Sequence, residues 1–256
     1  MVDLWLIGIG TGNPDHVTAQ AIKAIRGADL ILLPRKGDKK ADLADLRRQI
    51  IENVAPEALP RIAEFDMPVR DASGMYLDGV HDWHDAIAAI WSKTIDAHEG
   101  KGKRVALLVW GDPSLYDSTL RIADRLDPRP TLNVVPGITS LQVLTAAHAI
   151  PINRIGAPFT VTTGRKLREN GWPAGADTVA VMLDGECSFQ VLNGADYDIW
   201  WGAYVGMGEE ILLSDRLDRI CDKILSTRAE ARAEHGWIMD IYVLRKHESA
   251  EQKSIA

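Results

Sequence analysis

The chain has 256 residues, a net charge of −7 and two cysteines. Its length suffices for one large α/β domain or two small ones, and 46% apolar with 25% charged residues is the balance of an ordinary globular protein. The acidic balance argues against nucleic acid as a partner. No apolar run approaches the roughly 18 residues that cross a bilayer. Cys187 and Cys221 lie far apart and lack metal-ligand spacing, which argues against a disulfide framework or a zinc site. An acid at Asp3, where a signal peptide would carry positive charge, places the expected location in the cytoplasm.

In chain order, Leu4 to Ile9 is a short apolar run that predicts a buried strand ending in the glycine loop Gly8-x-Gly10-x-Gly12. Thr18 is placed to cap a helix carrying Ala21, Ile22, Ile25 and Ala28, and Gly27 suits its end. A second strand is expected over 30–33, a helix over 41–54, a third strand over 62–65 and a helix over 80–98. Val105 to Val109 predicts a fourth strand running into Gly111-Asp112-Pro113, followed by a helix over 115–126. A fifth strand over 132–135 ends at Pro136-Gly137, before a helix over 139–149. This alternation implies parallel sheet with helices on its faces. Beyond it, strands are expected over 159–163, 178–183, 199–205, 210–214 and 237–244, with helices over 186–194 and 216–233, as in a second α/β unit with mixed pairing. The organisation expected is an N-terminal α/β domain of residues 1–154, a hinge within 151–158, a C-terminal α/β domain of 155–246 and a polar tail of 247–256.

A glycine loop after a strand lets backbone approach a ligand closely, but it serves tight packing equally well. A dinucleotide-binding fold wants Gly-x-Gly-x-x-Gly and an acid after the second strand to hold ribose. Here the glycine spacing differs and the second strand runs into Pro34-Arg35-Lys36. The commonest methyltransferase fold fails at the same place for want of that acid.

Three segments together are more specific: Ile9-Gly10-Thr11-Gly12-Asn13-Pro14-Asp15-His16-Val17-Thr18, Trp110-Gly111-Asp112-Pro113-Ser114-Leu115-Tyr116, and Val135-Pro136-Gly137-Ile138-Thr139-Ser140. In this order and separation they resemble the tetrapyrrole methylases, over nearly the whole chain. The resemblance implies two α/β domains with S-adenosylmethionine in the cleft between them. It implies cofactor contacts at Pro14, at Gly111, Asp112, Pro113 and Leu115, at Thr139 and Ser140, and at Met182, Leu183 and Ala203. Many family members have Gly-Pro-Gly-Asp-Pro where this chain has Gly10-Thr11-Gly12-Asn13-Pro14, and Val181-Met182-Leu183-Asp184 follows the family pattern only loosely.

Further segments resemble one branch of the family. They are Leu33-Pro34-Arg35-Lys36-Gly37, Phe65-Asp66-Met67-Pro68-Val69-Arg70-Asp71, Tyr76 with Val80-His81-Asp82-Trp83-His84, and Trp200-Trp201-Gly202-Ala203-Tyr204-Val205-Gly206. That branch is implied to methylate a ring carbon of a polycarboxylate corrin precursor and to release the acetyl group there as acetate, as a homodimer free of nucleic acid and membrane. Other precorrin or siroheme methylases, and a relative that binds cofactor without catalysis, are the alternatives. Substrate-binding candidates are Arg35, Lys36, Arg70, Tyr76, Trp83 and His84, with Lys39, Lys40, Arg154, Arg165 and Lys166 as further cations for carboxylates. His81-x-x-His84 has metal-like spacing, yet no further ligand cluster accompanies it, and no metal is expected. Methyl transfer itself asks mainly for alignment, whereas acetate release asks for a base and an oxyanion donor. Asp112, Tyr116 and His148 are the candidates for that work.

Overall fold

The computed structural model describes residues 2–35, 41–56, 60–69, 76–99 and 103–247. These divide into two compact units, Met1–Thr139 and Ser140–Ala256.

The first unit holds a five-stranded sheet in the order β3-β2-β4-β1-β5, built from β1 Asp3–Gly8, β2 Leu30–Arg35, β3 Arg61–Asp66, β4 Arg104–Val109 and β5 Thr131–Val135. Every pairing is parallel. Successive side chains of a strand point to opposite faces, so each strand divides its apolar residues between two cores. Ile7, Ile31, Leu33, Ala106, Leu108 and Val135 pack against α1 (Ala19–Arg26) and α2 (Ala41–Val54). Leu4, Leu6, Leu30, Leu32, Val105 and Leu107 pack against α3 (Tyr76–Ala97) and α4 (Thr119–Ala123). Full burial of such a side chain stabilises by roughly 1.5–3 kcal/mol. Helix α1 starts where expected, with the Thr18 hydroxyl accepting from Ala21 N at 3.1 Å.

Neighbouring strands β1 and β4 lead away in opposite directions, β1 to β2 and β4 to β5. Their connecting helices lie on opposite faces. That makes their carboxyl ends a topological switch point, where ligands of open α/β sheets bind.

The second unit contains α5 (Ser140–Ala147) and a sheet in the order β6-β7-β10-β8-β9. Its strands are β6 Phe159–Thr163, β7 Thr178–Met182, β8 Tyr197–Ala203, β9 Ile211–Arg216 and β10 Asp240–Lys246. Only β6 and β7 pair in parallel, joined by α6 (Gly164–Asn170); the rest is antiparallel, the mixed pairing expected. Helix α7 (Leu217–His235) connects β9 to β10.

The structure departs from the expected elements at three places. The helix of 115–126 shrinks to Thr119–Ala123, because Tyr116 adopts a left-handed φ of 51° and the Asp117 carboxylate takes the Thr119 N–H at 2.6 Å. The helix of 186–194 is two 3-10 turns, Ser188–Val191 and Gly194–Asp196, since Cys187 is left-handed and the Asp184 carboxylate captures the Ser188 N–H. Helix α6 was not anticipated, although Thr163 caps it and Gly171 closes it at a φ of 69°. The sequence reading puts a domain boundary after residue 154, and the two compact units divide after residue 139. Helix α5 packs on the second sheet, close to β8 at Gly202, where an added Cβ would lie 2.7 Å from Leu144 Cδ1. The segment read as a hinge is tied to that sheet as well: Arg245 donates to Pro151 O at 2.7 Å, and Arg154 pairs with Asp177 at 3.3 Å.

Candidate functional site

Three loops meet at the carboxyl edge of the first sheet, after β1, β4 and β5. Gly10 and Gly111 form an isolated bridge, with Gly111 N donating to Gly10 O at 2.7 Å. A Cβ on Gly137 would stand 2.0 Å from Gly111 O and 2.8 Å from Gly8 Cα. A Cβ on Gly8 would stand 2.6 Å from Gly137 N. The loops therefore touch backbone to backbone, which only glycine permits. Gly111 itself has a φ of 62°, and the position of its missing Cβ lies 3.6 Å from Thr139 Cα, an ordinary contact distance.

Asp112 locks this junction. One carboxylate oxygen accepts from Gly137 N at 2.9 Å, across to the β5 loop, and the other accepts from Ser114 N at 2.8 Å and from the Ser114 hydroxyl. Burial opposes ionisation, but these hydrogen bonds outweigh it and hold the carboxyl below its ordinary value. Both oxygens thus serve as acceptors only. Asp112→Asn must point an NH2 at a donor on one side or the other, and is expected to cost about 1–3 kcal/mol in urea denaturation. The depressed folded pKa means that Asp112 contributes stability above the unfolded carboxylate value and loses it as pH falls through the folded value. The variant should lack that share of the acid-range dependence; an unchanged acid limb and unchanged stability would refute the clamp.

Around the junction, Pro113 is buried, Leu115 half-buried and Thr139 buried. Tyr116 is 42% exposed, with its hydroxyl pushed up by burial. Pro14 opens an exposed 3-10 turn capped by Asn13, and the Thr11 hydroxyl lies 3.0 Å from His16 Nδ1. Arg47 of α2 was not singled out by the sequence. Its Nε donates to Leu108 O at 3.2 Å, and its guanidinium lies 5.0 Å from the Trp110 ring centroid. Burial lowers its pKa to about 10, opposed by Asp117.

The proposed substrate cations fare differently. Arg35 ends β2 but is paired with Glu64 at 3.3 Å and Asp66 at 3.0 Å on the adjacent strand. Lys36, Lys39, Lys40 and Arg70 lie outside the described residues, as does the side chain of Tyr76. Trp83 donates to Pro68 O at 2.8 Å. His84 is 3% exposed, and neither ring nitrogen has a hydrogen-bond partner among the described residues. Burial and then the charges of Arg125, His81 and Arg121 lower its pKa, opposed by Asp85. Among the described residues no group of three or more potential metal ligands occurs.

In the second unit, Tyr242 on β10 is level with Val181 on one side and Trp201 on the other. Met182 and Ala203 consequently end their strands at the same sheet edge. Met182 is half-buried and Leu183 is 67% exposed, whereas Ala203 is wholly buried. Ser140 begins α5, and His148 follows its end with Nε2 3.1 Å from Trp201 O, a hydrogen bond it donates. The arginine and lysine of α6, Arg165 and Lys166, are exposed.

Two α/β units with these loop sequences define a class. The profile of the tetrapyrrole (corrin/porphyrin) methylases matches residues 3–221, and the chain belongs to that family. Within it, the chain is 48% identical over 251 residues to the precorrin-6A synthase (deacetylating) of Sinorhizobium sp., covering 96% of each. It is 28% identical over 70% of its length to a precorrin-2 C(20)-methyltransferase of the same genus. Among solved structures, a cobalamin-synthesis-related protein of Corynebacterium diphtheriae (CobF) superposes with a TM-score of 0.83 at 38% identity, covering 97% of this chain and all of that one. The uroporphyrin-III C-methyltransferase of Thermus thermophilus complexed with S-adenosylhomocysteine shares the fold, with a TM-score of 0.56 at 18% identity.

Proposed function

We propose that the chain is an S-adenosylmethionine-dependent C-methyltransferase that converts precorrin-5 to precorrin-6A, methylating C-1 and releasing acetate. The observation that carries this reading is the near-full-length similarity to precorrin-6A synthase. The first sheet's carboxyl edge suits a cofactor: its glycines bring three loops into backbone contact at the ends of neighbouring parallel strands, where a ligand can approach the main chain closely. The cofactor contacts proposed are Pro14, Gly111, Asp112, Pro113, Leu115, Thr139 and Ser140, with Met182, Leu183 and Ala203 from the second unit. S-adenosylmethionine supplies an electrophilic methyl group, so the protein's task is to align the substrate carbon with it and exclude water.

Acetate release needs water to add to the acetyl carbonyl, and the candidates separate by chemistry. Asp112 has both oxygens engaged and a lowered pKa, which suits a clamp better than a base. Tyr116 stays protonated and is suited to donate to an oxyanion. His148, with Nε2 donating to Trp201 O, keeps Nδ1 as the basic nitrogen of its neutral form and is suited to be the base.

Mass spectrometry of the product made from precorrin-5 and S-adenosylmethionine tests the reading. Gain of a methyl with loss of an acetyl is expected. Methyl gain alone would point to a sibling methylase, and no change to a binding relative. Calorimetry should show binding of S-adenosylhomocysteine and none of NAD, because the second strand ends in Arg35 instead of a ribose-binding acid.

A further inference from the structure

Helix α2 covers the first sheet with Ala44, Ile50, Ile51 and Val54, all buried. Residue 47 is one helical turn from Ala44 and from Ile50 and Ile51, so it lies on the same covering face, a placement that its charged neighbours Asp45 and Arg48 conceal in the sequence. A helix that only covered a sheet would carry an aliphatic side chain there. This one carries a half-buried arginine, whose desolvation brings its pKa down to about 10 and leaves it charged. Three of its contacts fall on one segment, Leu108 to Asp117. At the near end, Arg47 Nε donates to Leu108 O at 3.2 Å. The β2–β4 pairing ends at Leu32 and Leu107, and the next carbonyl, Val109 O, accepts from Ile9 N on the β1 side; Leu108 O therefore turns to the side where the β2 pairing has ended. The Trp110 ring lies 5.0 Å from the guanidinium, and its indole N–H has no hydrogen-bond partner among the described residues, so packing and the cation hold the ring. At the far end, the Asp117 carboxylate attracts the guanidinium while it accepts from Thr119 N at 2.6 Å and from the Thr119 hydroxyl, at the start of α4.

We propose that Arg47 is a positioning residue that braces the segment from Leu108 to Asp117 at both ends and thereby fixes the Gly111-Asp112-Pro113 turn for the cofactor. This rests on the cofactor reading above. The turn is tied sideways to the β1 and β5 loops, through Gly10 O and Gly137 N. Arg47 ties the same segment to the helix layer, a direction those bonds leave open. The segment needs such support, because Gly111 and Tyr116 are left-handed at φ values of 62° and 51°, and a tyrosine keeps that backbone only where its surroundings hold it. A planar guanidinium can donate to a carbonyl, lie against an indole and face a carboxylate at once, whereas an ammonium is a point charge without that geometry.

Arg47→Met and Arg47→Lys, each checked by circular dichroism and thermal melting, test this through S-adenosylhomocysteine calorimetry and steady-state kinetics well below Tm. If wild type does not bind S-adenosylhomocysteine, the cofactor reading fails and the proposal with it. Given wild-type binding, Arg47→Met should bind about tenfold more weakly or worse, with the cofactor KM raised in proportion and the precorrin-5 KM unchanged. Arg47→Lys should recover less than about threefold of that loss. A lowered Tm with wild-type affinity would make Arg47 a structural residue only. A raised precorrin-5 KM with unchanged cofactor affinity would make it a substrate anchor, and full recovery by lysine would mean that charge alone acts. Each of these results overturns the brace. Should Arg47→Met not fold, Arg47→Lys decides alone: weakened S-adenosylhomocysteine binding supports the brace, and wild-type binding overturns it.

Discussion

Gly137→Val should lose both stability and cofactor affinity. The new Cβ would stand 2.0 Å from Gly111 O and 2.9 Å from Gly8 C, and every one of these neighbours is backbone. No side chain can rotate away, so the β1, β4 or β5 loop must move. Gly137 is not among the residues with left-handed φ, so the effect is steric and not conformational. Overpacking of this kind typically costs about 1–3 kcal/mol, and a branched residue against fixed backbone belongs at the upper end. For a protein of this size that lowers Tm by roughly 2–4 °C per kcal/mol. Displacing the loop also removes the Gly137 N–H from Asp112 and shifts Gly111. S-adenosylhomocysteine affinity should fall at least tenfold, by calorimetry on protein below its melting range. Gly111→Ala makes a contrast: it meets nothing closer than 3.6 Å, and its cost, roughly 1–2 kcal/mol, comes from the φ of 62° alone. Wild-type Tm and affinity in Gly137→Val would mean that the three loops are not in the contact described.

How far the sequence reveals this site depends on the range over which each residue acts. The Gly-Asp-Pro turn, the glycines and the alternating apolar runs are local signals, and they placed the ten strands and the first sheet's carboxyl edge. They could not show that Gly8, Gly111 and Gly137, far apart in sequence, meet at that edge. Nor could they show that Asp112 reaches across to Gly137 N. Arg35 looked available because its acidic partners, Glu64 and Asp66, lie on a strand whose register the sequence does not announce. Arg47 sits in an Asp-, Arg- and Leu-rich helix with nothing to distinguish it from a solvated charge. The failed helices at 115–126 and 186–194 share a cause. Helical spacing was present, but left-handed Tyr116 and Cys187, with side-chain capture of backbone N–H by Asp117 and Asp184, overrode it. Such departures from local propensity cluster at the strand ends where the cofactor is proposed to bind, as expected where function competes with regular structure.

Arg228→Met should be among the most destabilising single changes in the second unit. Arg228 Nε lies 2.9 Å from Asp240 Oδ2, with side chains only 11% and 7% exposed, and Trp201 Nε1 donates to the same oxygen at 3.1 Å. Burial alone would lower the arginine's pKa, but the hydrogen bond and charge of Asp240 raise it above its ordinary value. Methionine fills much of the volume and removes the cation. It leaves Asp240 buried with one indole N–H, and breaking a buried pair from one side costs about 3–5 kcal/mol. Denaturant unfolding should show that loss. The double variant Arg228→Met with Asp240→Leu should recover part of it, because an apolar pair avoids the stranded charge, although Trp201 Nε1 then loses its acceptor. A deficit matched in full by the double variant would mean that Arg228 acts mainly through the Asp184 carbonyl it also donates to, and that its pairing with Asp240 adds little.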